Sequence, residues 1–201
     1  MPNGRKEKAA ETEAALKAAA RAVFARKGYL NAKITDITAE AGRAAGSFYN
    51  HFASKEELLA ALLADLAAAG DESALAGDHL SDFSDPAAVR WHVAQYWHFY
   101  RQHAPTMRAL GQAALVSDEF ARTLAEFTAT QAADIEDHLD RVTAAGMRLP
   151  ATADLSIVMM YRLLDGAAQA WLEQPADTPT DDEAVEALTR FVYRGLTGRD
   201  Y

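Results

Sequence analysis

Cysteine is absent from the 201 residues. That excludes a disulfide framework, a thiolate nucleophile and any thiolate metal site. Proline and glycine are sparse, at six and eleven, too few to punctuate an all-β chain with many short strands. No apolar run approaches the roughly 18–20 residues of a membrane span. The charged N-terminus has no signal-peptide core, so a cytoplasmic protein without membrane partners is expected. Lysine is missing beyond Lys55: all six lysines lie at or before that position. No glycine-rich phosphate loop and no Gly-x-Ser-x-Gly elbow occurs. His92, His98 and His103 are spaced six and five apart, off the period that puts ligands on one helix face, so no metal site and no cofactor are expected.

The net charge is −9, but it is unevenly spread. Residues 1–70 hold ten Lys and Arg against eight Asp and Glu, whereas residues 71–201 hold ten Arg against 21 acids. Local charge governs attraction to a polyanion, so only the N-terminal third suits nucleic acid, and that binding should depend strongly on salt.

What is present is mainly alanine-rich helical pattern. Ile34, Ile37 and Ala41 repeat on one helix face, and Gly42 follows where a helix end favours positive φ. Phe48 and Phe52, four apart, would bury one side of a second short helix. Gly46, Ser47, Tyr49, Asn50 and His51 are left outward. Two short helices around a Gly-containing turn match the helix-turn-helix geometry that seats a helix in a DNA major groove. An ordinary helical hairpin is the alternative. Upstream, Leu16, Ala20, Val23 and Phe24 line an amphipathic helix from about Lys8 to Lys27, after a mobile arm over residues 1–6 from which Arg5, Lys6 and Lys8 could reach phosphate. Downstream, Ser54-Lys-Glu-Glu57 is a capping box.

The succession of Phe24, Gly28-Tyr29, Asp36-Ile37, Ala41-Gly42, Gly46-Ser-Phe-Tyr49-Asn-His-Phe52 and Ser54-Lys-Glu56 resembles the TetR family of bacterial regulators over residues 14–60. The resemblance implies DNA-facing roles for Thr35, Ala45, Gly46, Ser47, Tyr49, Asn50, His51 and Lys55. The chain departs from the family where a Thr usually enters the second helix and Val-Ser follows the turn glycine. Here stand Lys33, Arg43 and Ala44. Ala44 cannot cap the recognition helix, at about 1 kcal/mol relative to Ser. Lys33 and Arg43 could contact phosphate or a guanine edge instead.

Beyond the head, a helix from Ser54 should end near Gly70, followed by an acidic loop over 71–85. Asp85-Pro86 opens a helix dense in aromatics, Pro105 starts another, and Ser117 caps a long one to about Ala145. Helices over about 152–173 and 180–197 follow, the last opened by Thr180-Asp-Asp-Glu183 as a second capping box, with Gln174–Pro179 a loop between them. About nine helices and no strand make the fold all-α: a three-helix head over 1–52 and a body over 53–201. Trp91, Tyr96, Trp97, Tyr100, Met107, Phe120, Phe127 and Met159 could line an apolar cavity, with His92, Gln131 or His138 as a polar anchor. A packed core is the alternative for these residues. Met160, Leu164, Gly166, Trp171, Leu188, Phe191 and Val192 are expected to form a four-helix homodimer interface, the arrangement the family uses.

The expected function is a one-component transcriptional repressor. It would bind a palindromic double-stranded operator and be released by an apolar or aromatic small molecule. A DNA-binding regulator controlled by a protein partner is the second reading. An all-α enzyme with a coincidental hairpin is the third, and no enzyme activity is expected.

Overall fold

A computed structural model describes residues 3–74, 79–173 and 179–201, and all of their side chains except those at 3, 5 and 71–74. Nine helices and no strand are found among the described residues, as the sequence pattern predicts. They are α1 (Asn3–Asn31), α2 (Ile34–Glu40), α3 (Ala45–Phe48), α4 (Lys55–Ala74), α5 (Pro86–Ala114), α6 (Asp118–Ala133), α7 (Glu136–Ala144), α8 (Ala153–Glu173) and α9 (Asp181–Thr197). No described helix is long and apolar enough to cross a membrane.

The count agrees with expectation, but several boundaries do not. The N-terminal arm is helical from Asn3, because its alanines and alternating charges favour helix; the Arg5 side chain and residues 1 and 2 lie outside the described residues. The fourth helix runs past Gly70 to Ala74, since no proline or cap interrupts it there. Of the expected acidic loop, residues 75–78 lie outside the described residues, as do 174–178 of the loop before α9. Pro105 starts no helix; it lies inside α5. A proline removes one N–H and frees one carbonyl four residues earlier. Here that carbonyl belongs to Arg101, an exposed residue that water can satisfy. Conversely, the long helix expected from Ser117 breaks between α6 and α7. Ile135 there takes φ −117° and ψ 8°, and the break turns Ile135, His138, Leu139 and Val142 inward together.

Two compact units result. The first comprises Met1–Ala69 with Pro105–Leu124, the second Gly70–Ala104 with Ala125–Tyr201. In the first, α1 packs on α2 and α2 on α3 around Leu16, Val23, Phe24, Ile37, Phe48 and Leu59, each no more than 1% exposed. Gly28 sits at φ 69° and kinks α1. The next amide, Tyr29 N, is released from the helix ladder and donates to Gln112 Oε1 at 2.7 Å. A Cβ on Gly28 would lie 3.1 Å from that same oxygen, so both conformation and space favour glycine.

In the second unit α7 packs on α8 and α8 on α9. Its core is Phe83, Val89, Trp97, Leu139, Val142, Ile157, Leu164 and Val185. The capping box expected at α9 is present. Thr180 Oγ1 accepts from Glu183 N at 3.3 Å, and Glu183 accepts from Thr180 N at 2.9 Å. Ser54 and Ser117 likewise accept from the amides of Glu57 and Phe120.

Candidate functional site

The α2–turn–α3 hairpin is held from beneath. Ile37 and Phe48 are fully buried, and Phe52 packs on Phe48 with ring centroids 5.7 Å apart. Gly42 turns the chain at φ 63°, and Arg43 N donates to Thr38 O at 2.9 Å. With its apolar residues turned in, α3 is a single helical turn, continued by turn residues 49–51. Ala44 supplies no side-chain cap.

The other face is free. Lys33, Thr35, Arg43, Ala45, Gly46, Tyr49 and Asn50 are exposed, and Ser47 and His51 are half-buried. Tyr49 is 62% exposed, its ring edge on Phe48, which leaves the hydroxyl pointing away from the core. Nothing stands within 4 Å of a Cβ built on Gly46.

Six of the cations of this unit form two sets. Arg26 pairs with Glu40 at 2.6 Å, Lys27 with Asp36 at 2.8 Å, and Lys17 and Arg21 both with Asp65 at 2.9 and 2.7 Å. Lys33 and Arg43 form no ion pair among the described residues, and neither do Lys6, Lys8, Arg108 and Arg122, which lie off the hairpin. Lys33 and Arg43 are exposed at the hairpin surface. Lys27 holds the Asp36 carboxyl below its ordinary range, and Lys33 is close enough to add to that lowering. Lys55 belongs to neither set. Its Nζ donates to the carbonyls of Tyr29 at 2.8 Å and Ala32 at 3.0 Å and lies 4.1 Å from the Tyr29 ring centroid. Partial burial lowers its pKa. Two of its three protons thus cap the end of α1, a tie that the sequence does not disclose. Tyr29 in turn donates to Glu56 at 2.6 Å; that bond holds the Glu56 carboxyl below its ordinary range, and burial raises the Tyr29 phenol.

In the second unit, the polar side chains are turned inward. Tyr96 Oη donates to Asp165 Oδ1. Burial holds the Asp165 carboxyl above the ordinary carboxylate range, against the pull of that hydrogen bond. Burial also raises Tyr96 and pushes Tyr161 up to about 12. Tyr161 and Tyr100 flank Tyr96 at 5.5 and 6.3 Å between ring centroids. Trp97 Nε1 donates to Asp181 Oδ1 at 2.8 Å, and Trp171 stacks edge-on to Trp97 at 5.9 Å. Burial also pushes His92 down to about 4.

The residues expected to line one cavity are thus distributed. Trp91, Tyr96, Trp97 and Tyr100 share the second unit with Phe127, Gln131 and His138. Met107 and Phe120 fall in the first unit. Met159 is 44% exposed on the surface of α8, because its place in the helix period lies opposite Ile157, Met160 and Leu164. A surface hollow of about 300 Å³ is lined by Ala10, Glu13, Ala14, Lys17, Arg21 and Asp65, none of them residues expected to bind a ligand. Sequence reasoning missed Asp165, Tyr161, Asp181 and His79. A lone carboxylate in the apolar run Leu163-Leu164-Asp165, four residues after Tyr161, was the available signal.

The expected dimer residues need a correction. Met160, Leu164, Leu188 and Val192 are buried within their own chain, at 2–6% exposure. They pack the α8–α9 contact and are unavailable to a second subunit. The outer stripe of α8 is instead Leu155, Val158, Met159, Arg162 and Gly166, with Phe191 exposed on α9 and Trp171 half-buried.

Residues 16–62 match the family described as bacterial regulatory proteins, tetR family. The chain is 28% identical over 178 residues to the HTH-type transcriptional regulator TtgR of Pseudomonas putida, covering 85% of this chain and 84% of that one. Its fold is similar to the fatty acid degradation regulator FadR from Bacillus halodurans, with a TM-score of 0.76 at 18% identity, over 94% of this chain and 97% of the other. It is also similar to FadR from Bacillus subtilis in complex with stearoyl-CoA, with a TM-score of 0.72 at 15% identity, over 90% and 98% of the two chains.

Proposed function

We propose that this chain, a member of the TetR family of bacterial regulatory proteins, is a one-component repressor that a mostly apolar small molecule releases from its operator. A transcriptional regulator of this family binds DNA through its head. The proposed head is residues 1–52 and the sensing and dimerising body residues 53–201, and the cytoplasm is the compartment where the protein acts. The observation that carries the DNA reading is the division of cations. Four are tied to acids, whereas Lys33 and Arg43, the cations of the hairpin itself, form no ion pair among the described residues and stand beside Tyr49, Asn50 and Ser47. Thr35, Tyr49, His51 and the remaining proton of Lys55 suit phosphates, Ser47 and Asn50 suit base edges, and Ala45 and Gly46 permit close approach.

A dimer supports the same reading, since two-fold pairing sets two recognition elements about one DNA turn apart. We assign the interface to Leu155, Val158, Met159, Gly166, Trp171 and Phe191. Light scattering of Leu155→Glu with Phe191→Glu tests it: a dimeric wild type and a monomeric variant are expected, and a wild type already monomeric at micromolar concentration overturns it.

For the effector, Tyr96, Tyr100 and Trp97, with the Tyr96–Asp165 pair as polar anchor, provide an aromatic wall of the kind that receives small organic ligands. The relative crystallised with stearoyl-CoA favours an acyl-bearing molecule. Release requires that the ligand bind the DNA-free form more tightly, and the coupling is reciprocal. Footprinting of the purified protein across genomic DNA would identify the operator. Calorimetric titration of stearoyl-CoA, alone and with operator, then tests release. Weaker ligand binding on DNA, by roughly 5–150-fold for a coupling of about 1–3 kcal/mol, is expected. Equal affinity in the two states excludes it as the inducer, and absence of any protected site overturns the DNA reading itself.

A further inference from the structure

Three imidazoles from three separate segments meet in the second unit. His79 precedes α5, His92 lies near the start of that helix, and His138 lies in α7. The Nε2 atoms of His79 and His92 are 3.2 Å apart, and those of His79 and His138 are 3.0 Å apart. One ring nitrogen from each lies within 4.8 Å of the others.

The outer nitrogens determine what the inner ones can do. His92 Nδ1 is 3.0 Å from the Ala88 carbonyl oxygen, which can only accept. His138 Nδ1 is 2.6 Å from Asp137 Oδ1, a carboxylate oxygen. Both Nδ1 atoms therefore carry the proton, and both Nε2 atoms present lone pairs to the centre. His79 Nε2 carries at most one proton and meets both of these acceptors. One hydrogen bond can be made, and the second Nε2 lone pair is left without a proton. Phe83 packs edge-on to His92 at 4.8 Å and to His138 at 5.2 Å, and Trp91 covers His79 at 5.2 Å. His138 is only 3% exposed.

We infer that His79, His92 and His138 form a binding site for a divalent transition-metal ion of the zinc class, with three imidazole nitrogens and a fourth position for water or a ligand donor. Tetrahedral ligands at about 2.0–2.1 Å from zinc stand about 3.3 Å from one another, close to the two short separations. An all-imidazole set suits zinc, copper, nickel or cobalt over magnesium or calcium. Asp137 and the Ala88 carbonyl fill the outer role that orients metal-bound histidines. The site is independent of the operator and of the acyl effector, so either reading can fail without the other.

The test uses the untagged full-length chain, stripped with a chelator, and two probes: Zn²⁺ by calorimetry and Co²⁺ by its visible absorption. One equivalent per chain, with the intense bands of tetrahedral cobalt, is expected. His79→Ala removes an exposed ligand and should weaken binding about 100-fold, and Asp137→Asn, which only positions His138, about 10-fold. His98→Ala, outside the cluster, should leave affinity unchanged. Circular dichroism melts establish that each variant is folded. No stoichiometric binding to wild type, equal binding by folded His79→Ala, or an equal loss in His98→Ala would overturn the site.

Discussion

In the unit that carries the α2–turn–α3 hairpin, the polar groups without an internal partner lie outside: Lys33, Arg43, Tyr49 and Asn50 over a floor of Ile37, Phe48 and Phe52. In the second unit the arrangement is reversed. Tyr96 pairs with Asp165, the Trp97 indole with Asp181, and His92 and His138 both approach His79, while Leu155, Val158 and Met159 are exposed on α8. Buried polar groups cost free energy unless paired, and paired they fix one arrangement of the interior. Exposed polar groups cost little and remain available to a polyanion.

The largest effect that probes this contrast comes from the two cores. Phe48→Ala and Trp97→Ala should each cost about 3–5 kcal/mol, the usual cost of deleting a buried aromatic. Hydrogen exchange followed by mass spectrometry should place the first loss of protection in residues 34–66 for Phe48→Ala and in 86–104 and 153–197 for Trp97→Ala. Uniform loss over the whole chain in both variants would dissolve the distinction between the units.

Lys55 and Arg43 sharpen the contrast within the first unit. Lys55→Ala leaves the carbonyls of Tyr29 and Ala32 without their charged donor and should lower stability by about 1–2 kcal/mol. Arg43→Ala should change stability by less than about 0.5 kcal/mol while lowering the salt dependence of operator binding by about one phosphate. Thermal melts and salt-dependent anisotropy separate the two. A stability loss in Arg43→Ala equal to that of Lys55→Ala would show that its charge is used internally.

Asp165 gives the pH test. Its folded pKa is raised above the unfolded value of 3.8, so between the two the folded state binds more protons. Its contribution is therefore full below about pH 4 and is lost as pH rises through the folded value. Asp165→Asn keeps an acceptor for Tyr96 and removes the titration. At pH 7 the variant should melt a few degrees above wild type, for about 1 kcal/mol, with the gain vanishing near pH 3. A gain independent of pH would mean that the carboxylate carries no burial penalty.

The most localised effect belongs to Ser47. If its hydroxyl reads a base edge, Ser47→Ala should alter preference at one operator position by about 1–3 kcal/mol and leave others unchanged. Equal loss on every operator variant would move Ser47 to the phosphate contacts.

The elements legible in the sequence are those whose causes are local. Ser54, Ser117 and Thr180 stand at helix starts because a hydroxyl cap needs only its own next turn. Gly28 and Gly42 mark chain reversals because positive φ is a property of the residue. The hairpin could be read because Phe48, four residues from Phe52, leaves its intervening polar residues one direction to point. Pro105 was misread for the same local reason: its lost hydrogen bond is a local cost, whereas the packing that carries α5 through it is not.

What local pattern could not settle is where inward-facing residues meet. An apolar stripe says that Met160 and Leu188 are covered, not whether their own chain or a second copy covers them, and α8 against α9 decided it. Lys55 reads as a surface cation until α1 ends beside it and the Tyr29 and Ala32 carbonyls accept its protons. His79, His92 and His138 have no shared period, so only the return of α7 to the start of α5 brings their nitrogens together. The sequence by itself determined the all-α architecture, the hairpin and the family resemblance it carries, because these depend on neighbours a few residues away. The tertiary structure alone decided which polar groups are consumed internally and which stay free, because that depends on distances between residues tens of positions apart.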